Sequence, residues 1–303
     1  CRPNQLLYAT QKMLRKTRPA KAIVLTGFPC LRNNMPPTET DGPPGAVAVA
    51  RAMLALGFDV TMPIEQHSEG VLQSCVAAAC HGERKPEVVS FSTSDRWSEM
   101  DQYLLQSISS DVSIVLAIER AGPSMDGQCY TMRGLQMGPT LVAHELNSIL
   151  SGGFGVETIA IGDGGNELGM GSFYEDVCQT VQNGKTIGCV VSSDFPIAAS
   201  VSNWGCYALC CACALLAWDQ GTVMTGTNKG GKQHTPHEYV WCLVPDEGSI
   251  KAVLRAANDA GAVDGISGRA AGSVDGMSLE AQSKMLCELR AIVLETMQLD
   301  VEV

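Results

Sequence analysis

Positive charge is scarce in this chain. Lys and Arg number 21 against 32 Asp and Glu, a net charge of −11. Such a surface offers no attractive field to DNA, RNA or anionic lipid, so neither a nucleic-acid nor a membrane partner is expected. Charge of either sign is sparse too, at 17% of residues, while 45% are apolar. That balance excludes a disordered chain and suffices for a full core.

Long apolar runs are also missing. CYALCCACALLAW (206–218) has 13 residues, too short to span a bilayer. Its Cys210, Cys211 and Cys213 belong to a total of 13 cysteines without regular spacing. They read as small core residues of a reducing compartment rather than as a zinc site. Several enzyme fingerprints are absent: GxGxxG after the first strand, the GxxxxGK[ST] phosphate loop, and GxSxG. No secretory signal is visible, and the chain opens at Cys1 in the polar stretch CRPNQ. It is expected to be a piece of a longer protein, whose location its composition does not reveal.

What is present alternates. Apolar runs predict strands at 22–28, 58–62, 87–91, 112–119, 157–161, 186–191 and 239–244. Helical patterns fall at 4–16, 43–57, 68–80, 98–109, 139–150, 173–182, 198–219, 249–260 and 278–299. Continuously apolar strands alternating with helices imply an α/β fold with a mostly parallel sheet and helices on both faces. This is a Rossmann-like three-layer sandwich, expected as a single domain over 1–303. Residues 221–237, polar, basic and glycine-rich, stand out as a flexible loop or insertion.

In such sheets ligands bind beyond the carboxyl ends of the strands. Four polar loops are expected there. PPTETDGPPG carries Thr38, Glu39, Thr40 and Asp41; ERAGPSMDGQCYTMRG carries Glu119, Arg120, Asp126, Tyr130 and Arg133. GDGGNELGMG carries Asp163, Asn166 and Glu167; SSDFPIAASVSNWG carries Ser192, Ser193, Asp194, Ser200, Ser202 and Asn203. Four such loops on one edge imply a shared pocket.

Each loop has two readings. Asp163-Gly164-Gly165-Asn166 is a turn sequence, but glycines beside acids also bring N–H groups close to an anion or hold carboxylates on a metal. Arg120 is either an ion-pair partner of its neighbour Glu119 or a fork for a substrate carboxylate. VDGISGRAAGSVDGM, with Asp264, Arg269 and Asp275, either covers the pocket or punctuates helices. His234 and His237 lack a third metal ligand nearby, and His67, His81 and His144 read as surface or core residues.

TETDGPPGA (38–46), ERAG (119–122) and IGDGGNELGMG (161–171) resemble the C-terminal domain of the mitochondrial, mammalian-type D-glutamate cyclase family. The similarity runs from about Leu25 to the last helix. It implies dehydration of D-glutamate to 5-oxo-D-proline by a lyase, a mitochondrial matrix location, and a further N-terminal domain. The site residues are expected from the motifs themselves. The α-amine attacks the side-chain carboxyl carbon, which requires a base, an acid and a folded substrate. Asp163 and Glu167 are the first acid–base pair, with Asp41 and Glu119 in reserve. Arg120 or Arg133 would clamp the α-carboxylate, and the N–H groups of Gly164 and Gly165 would stabilise the oxyanion. Asn166, Thr40 and Ser193 complete the expected substrate contacts. No cofactor is required by the sequence, but a divalent ion, Mg²⁺ or Mn²⁺, on Asp41, Asp163 or Glu167 is the alternative electrophile. A homo-oligomer is compatible with these features. Two other functions remain open: a metal-assisted hydrolase or isomerase of a small polar acid, and a non-catalytic ligand-sensing domain.

Overall fold

Alternate residues of each central strand serve two different cores. In β1 (Ala20–Gly27), Ala22 and Val24 pack on one face and Ile23 and Leu25 on the other. In β4 (Val112–Arg120), Ile114, Leu116 and Ile118 oppose Val115 and Ala117 in the same way. Side chains alternate across a strand, so a continuously apolar run is a strand covered on both faces. The computed structural model describes residues 4–16, 19–93, 97–151, 155–224 and 234–298.

The first helix is α1 (Gln5–Leu14). After β1 come α2 (Pro43–Ala55), β2 (Phe58–Glu65), α3 (Glu69–Ala79), β3 (Glu87–Phe91) and α4 (Glu99–Ser109). β4 is followed by an antiparallel pair, β5 (Cys129–Tyr130) and β6 (Gln136–Met137), then by α5 (His144–Ser151) and β7 (Glu157–Gly162). Next are α6 (Tyr174–Thr180), α7 (Gly184–Ile187), β8 (Phe195–Ala198) and α8 (Ser202–Asp219). The chain continues with α9 (Pro236–Leu243), α10 (Glu247–Asp259) and α11 (Leu279–Thr296).

The main sheet has six parallel strands in the order β3-β2-β1-β4-β7-β8. The expected three-layer α/β sandwich is therefore present. The larger core joins one face to α2, α3, α8, α9, α10 and α11. The smaller one joins the other face to α5 and to the half-buried Leu104, Leu105 and Ile108 of α4. Each fully buried Leu or Ile contributes roughly 1.5–3 kcal/mol, so the sheet is clamped from both sides. Cys206, Cys210, Cys211 and Cys213 lie in the larger core. Among the described residues no helix is long and apolar enough to cross a membrane.

Two expected strands are corrected. Residues 186–191 form no strand; β8 lies further on, in FPIA. Pro196 has no N–H for a ladder, but β8 is an edge strand, where a missing donor is tolerated. Residues 239–244 fall mostly in α9. Thr235 and Glu238 form a capping box there, and Pro236 occupies the first turn, all start signals for a helix. Of the segment 221–237, residues 225–233 lie outside the described residues, and Pro236 and His237 already belong to α9.

Connections leave the sheet in opposite directions from β1 and β4, which are neighbours. That is the topological switch point, where the loops diverge and open a crevice above the strand ends.

Candidate active site

The crevice holds a cavity of about 360 Å³. Its floor comes from three loops. The first follows β1. Its segment 38–40 bridges Val263, with Thr40 N–H donating to Val263 O at 3.0 Å. That draws the 264–277 loop across the opening, so Glu39, Gly265, Ile266 and Asp275 line the cavity. The loop ends at Asp41 and Gly42, just before α2. A Cβ on Gly42 would lie 2.7 Å from Glu119 Cβ, and its φ is 97°, so only glycine fits.

The second loop follows β4. Glu119 has a left-handed backbone, φ 42°, a conformation that costs a non-glycine residue about 1 kcal/mol or more. Glu119 and Arg120 part company there. Glu119 lines the cavity and accepts a hydrogen bond from Ser202 Oγ at 2.6 Å. Arg120 turns away and is 1% exposed. Its guanidinium donates twice to the Glu65 carboxylate, at 2.6 Å each, and through Nε to Asn147 Oδ1 at 2.9 Å. Burial pushes the Glu65 carboxyl up, but the Arg120 charge and hydrogen bonds outweigh it and hold Glu65 below its usual value. Arg120 is thus a structural fork, not a substrate clamp, and its partner is Glu65 rather than Glu119.

The third loop follows β7 and carries IGDGGNELGMG. It is stitched to the second by Leu168 N–H on Arg120 O and Gly122 N–H on Asn166 O. Gly164 and Gly165 donate their N–H groups to the two Glu167 oxygens, at 2.7 and 2.8 Å. These donors orient Glu167 and do not form an open oxyanion hole. Asn166 lines the cavity and donates to Tyr130 O. Arg133, on the turn between β5 and β6, reaches the rim.

Asp163 links two carboxyl groupings. Oxygens of Asp41, Asp163 and Asp275 lie within 4.8 Å of one another, as do those of Glu119, Asp163 and Glu167. Asp41 is fixed from below by two adjacent elements. Its Oδ2 accepts from Ser202 N–H at 2.7 Å, and its Oδ1 accepts from Asn203 N–H at 2.8 Å and Gly42 N–H at 3.0 Å. Asn203 Oδ1 in turn accepts from Gly45 N–H at 2.7 Å and Gly42 N–H at 3.2 Å.

So many acids at close range cannot all be ionised. Burial, then the charges of Glu167, Asp41 and Asp275, push Asp163 up to about 12. Burial and neighbouring carboxylates also raise Glu39 and Glu119 well above the usual range. Asp41 is raised by burial and by Asp275, against the pull of its N–H donors. The Cys30 thiol beside Glu39 is raised by burial and by that acid, which excludes a thiolate there. A cluster of this kind is stable only with shared protons or with a cation among its oxygens.

Besides Arg120, the expected contacts Gly165, Thr40 and Ser193 lie outside the cavity lining, as does the reserve acid Asp41. The Thr40 hydroxyl is buried and donates to Ser273 O, while Ser193 Oγ donates to Gly169 O; neither side chain lines the cavity. Ser193 precedes β8 instead of following a strand end, a direct result of the shifted strand. Asp126 is held outside by Tyr130 and Ser124. His234 accepts from Met224 N–H and, like His237, does not line the cavity. In the sequence, Glu39 and Asp275 stand only as loop residues. Their signal was an acid beside a glycine-rich turn, which also marks ordinary helix ends.

The chain is a doubly wound α/β protein with a polyacidic cavity at its switch point. The comparisons make the class particular. The D-glutamate cyclase-like C-terminal family profile matches residues 1–290, and the chain belongs to that family. It is 35% identical over 202 residues to a human protein named D-glutamate cyclase, mitochondrial, across 64% of this chain. The aligned part spans 32% of that protein.

Proposed function

We propose that this cavity cyclises D-glutamate to 5-oxo-D-proline and water, making the chain a lyase that acts in mitochondria, as the name of its human relative suggests. The observation that carries this reading is Asp163 set against Glu167 and Glu119 at the cavity floor, in a chain of this family. One carboxyl held protonated beside one held by N–H donors is the arrangement that divides acid from base.

Substrate would enter folded, its α-carboxylate toward Arg133 at the rim and its ammonium toward Glu167. Glu167 takes a proton from the ammonium, and the freed lone pair attacks the side-chain carboxyl carbon. Asp163 gives its proton to the departing oxygen. The nitrogen loses two protons in all. Both end on the released water, relayed through Glu167 and Asp163, which finish as they began. Holding both reacting groups in one molecule at contact distance supplies much of the rate.

The all-carboxylate donor sets Asp41–Asp163–Asp275 and Glu119–Asp163–Glu167 suit a hard divalent cation such as Mg²⁺ or Mn²⁺. When bound, such an ion supplies positive charge against which the substrate's carboxylates can rest. The test follows 5-oxoproline by chiral chromatography, with D- or L-glutamate, in chelator and then with added Mg²⁺ or Mn²⁺. Product from the D enantiomer supports the reading, and product restored only by the metal assigns the ion. A purified, folded chain that forms none in any arm ends it.

A further inference from the structure

Glutamate is a poor electrostatic match for this cavity. Its two carboxylates would face Glu39, Glu119, Asp163, Glu167 and Asp275, a group already so crowded that Glu39, Glu119 and Asp163 are raised well above the usual range, and Arg133 is the only cationic side chain among the described residues of the lining. A substrate whose side-chain carboxyl is capped as an amide removes one of those negative charges. It also removes the chemical difficulty. An ionised carboxylate resists attack by an amine, whereas an amide carbonyl is neutral and its nitrogen leaves once protonated.

The cavity has room for such a cap. An amino acid of glutamate's size displaces about five waters, roughly 150 Å³ at about 30 Å³ per water. The cavity measures about 360 Å³. The surplus is bounded by apolar groups. Met132 and Leu135, on the turn between β5 and β6, are 45% and 49% exposed, and Ile266, on the 264–277 loop, is 63% exposed; all three line the cavity. One exposed apolar side chain needs no explanation, but three around the mouth of an acidic cavity make a seat for an apolar group.

We propose that the site also cyclises side-chain amides of D-glutamate, releasing an amine, and that the leaving amine's substituent rests on Met132, Leu135 and Ile266. The proposal rests on the cyclase reading above. The α-nitrogen forms its bond to the side-chain carbonyl carbon, and the carbon–nitrogen bond to the amine breaks. Both protons lost by the α-ammonium pass to the leaving nitrogen, which departs as an ammonium or, for a weakly basic aniline, as the neutral amine plus a solvent proton. No water, oxidant or further reactant is consumed.

The probes are the γ-p-nitroanilide of D-glutamic acid, D-glutamine and D-glutamate, each with an enzyme-free blank, in buffer containing Mn²⁺. Released p-nitroaniline is read by absorbance and 5-oxo-D-proline by chiral chromatography. The expected result is equal amounts of the two products from the anilide, with kcat/KM about tenfold or more above that for D-glutamate. The double substitution Met132→Ser with Leu135→Ser is expected to lower the anilide-to-glutamine ratio of kcat/KM about threefold or more. 5-oxo-D-proline from D-glutamate with both amides left intact overturns the proposal while sparing the cyclase reading. So does p-nitroaniline accompanied by free glutamate, which would mean hydrolysis. An unchanged ratio in the double variant removes the apolar seat. No product from any substrate overturns the cyclase reading itself.

Discussion

Asp163 belongs to both carboxyl groupings and opens on the cavity, so its protonation state governs both stability and chemistry. Desolvation and the neighbouring carboxylates of Glu167, Asp41 and Asp275 push its carboxyl up to about 12, far above the ordinary range of an aspartate. A carboxyl raised in this way leaves stability intact below the unfolded value and erodes it as pH climbs toward the folded one. Asp163→Asn removes that burden. In chelator, the variant is expected to match the parent near pH 4 and to melt about 2 °C or more above it at pH 8. Its turnover of D-glutamate should fall roughly 10²-fold or more. A variant less stable than the parent at pH 8 contradicts the electrostatic account, and near-normal turnover removes Asp163 from the chemistry. Arg120 makes the opposite case. Breaking one partner of a buried ion pair costs about 3–5 kcal/mol, whereas replacing both with apolar groups can be far milder. Urea denaturation is expected to show Arg120→Met and Glu65→Met each strongly destabilised, and the double variant less so than either alone. Additive losses would refute the pairing. The residue itself could not reveal this, because its partner lies 55 positions upstream in another strand.

Elements carry the site because α2 and α8 begin against one another. Asn203 accepts from two N–H groups at the start of α2 and donates to Thr40 O, while its own N–H holds Asp41. Asn203→Ala leaves buried donors unmatched, which costs about 1–3 kcal/mol, and frees the loop that carries Asp41. A melting point lowered by several degrees, with kcat reduced more than KM is changed, is the expected outcome. Unchanged stability would show that the helix starts do not depend on this side chain. The sheet was legible at this scale because β1, β2, β3, β4 and β7 are apolar runs ended by Gly, Pro or polar turns. β8 was misplaced because Val190 and Val191 form an apolar run, whereas the true strand contains a proline that only an edge position permits. α9 was misread from YVWCLV, an apolar run too short for periodicity to separate helix from strand. Its capping box, visible in the sequence, was the better signal. In the site, the loop positions followed from the strand ends. Which side chains faced inward did not, because that depends on backbone turns such as the left-handed Glu119.

Across the whole molecule, negative charge is both diffuse and concentrated. The chain carries −11 overall, yet Asp41, Asp163, Glu119, Glu167 and Asp275 meet in one place. Diffuse charge responds to any salt over a Debye length of about 10 Å at 0.1 M. A converging set of carboxylate oxygens responds to a divalent ion far more strongly than to Na⁺. Thermal melts separate the two. Binding to the native state alone at a hundred times Kd stabilises by about 2.7 kcal/mol, roughly 4 °C for a chain of this size. Millimolar Mn²⁺ or Mg²⁺ is therefore expected to raise the melting point by several degrees, while NaCl of equal ionic strength has a small effect. Asp163→Asn, which removes an oxygen ligand common to both groupings, should abolish most of the gain. It would also reverse the order of the two proteins, since the parent is the less stable in chelator at pH 8 and the more stable with the ion. Equal shifts in both proteins would mean that the metal neutralises the surface and not the cavity, leaving shared protons as the means by which the acids coexist.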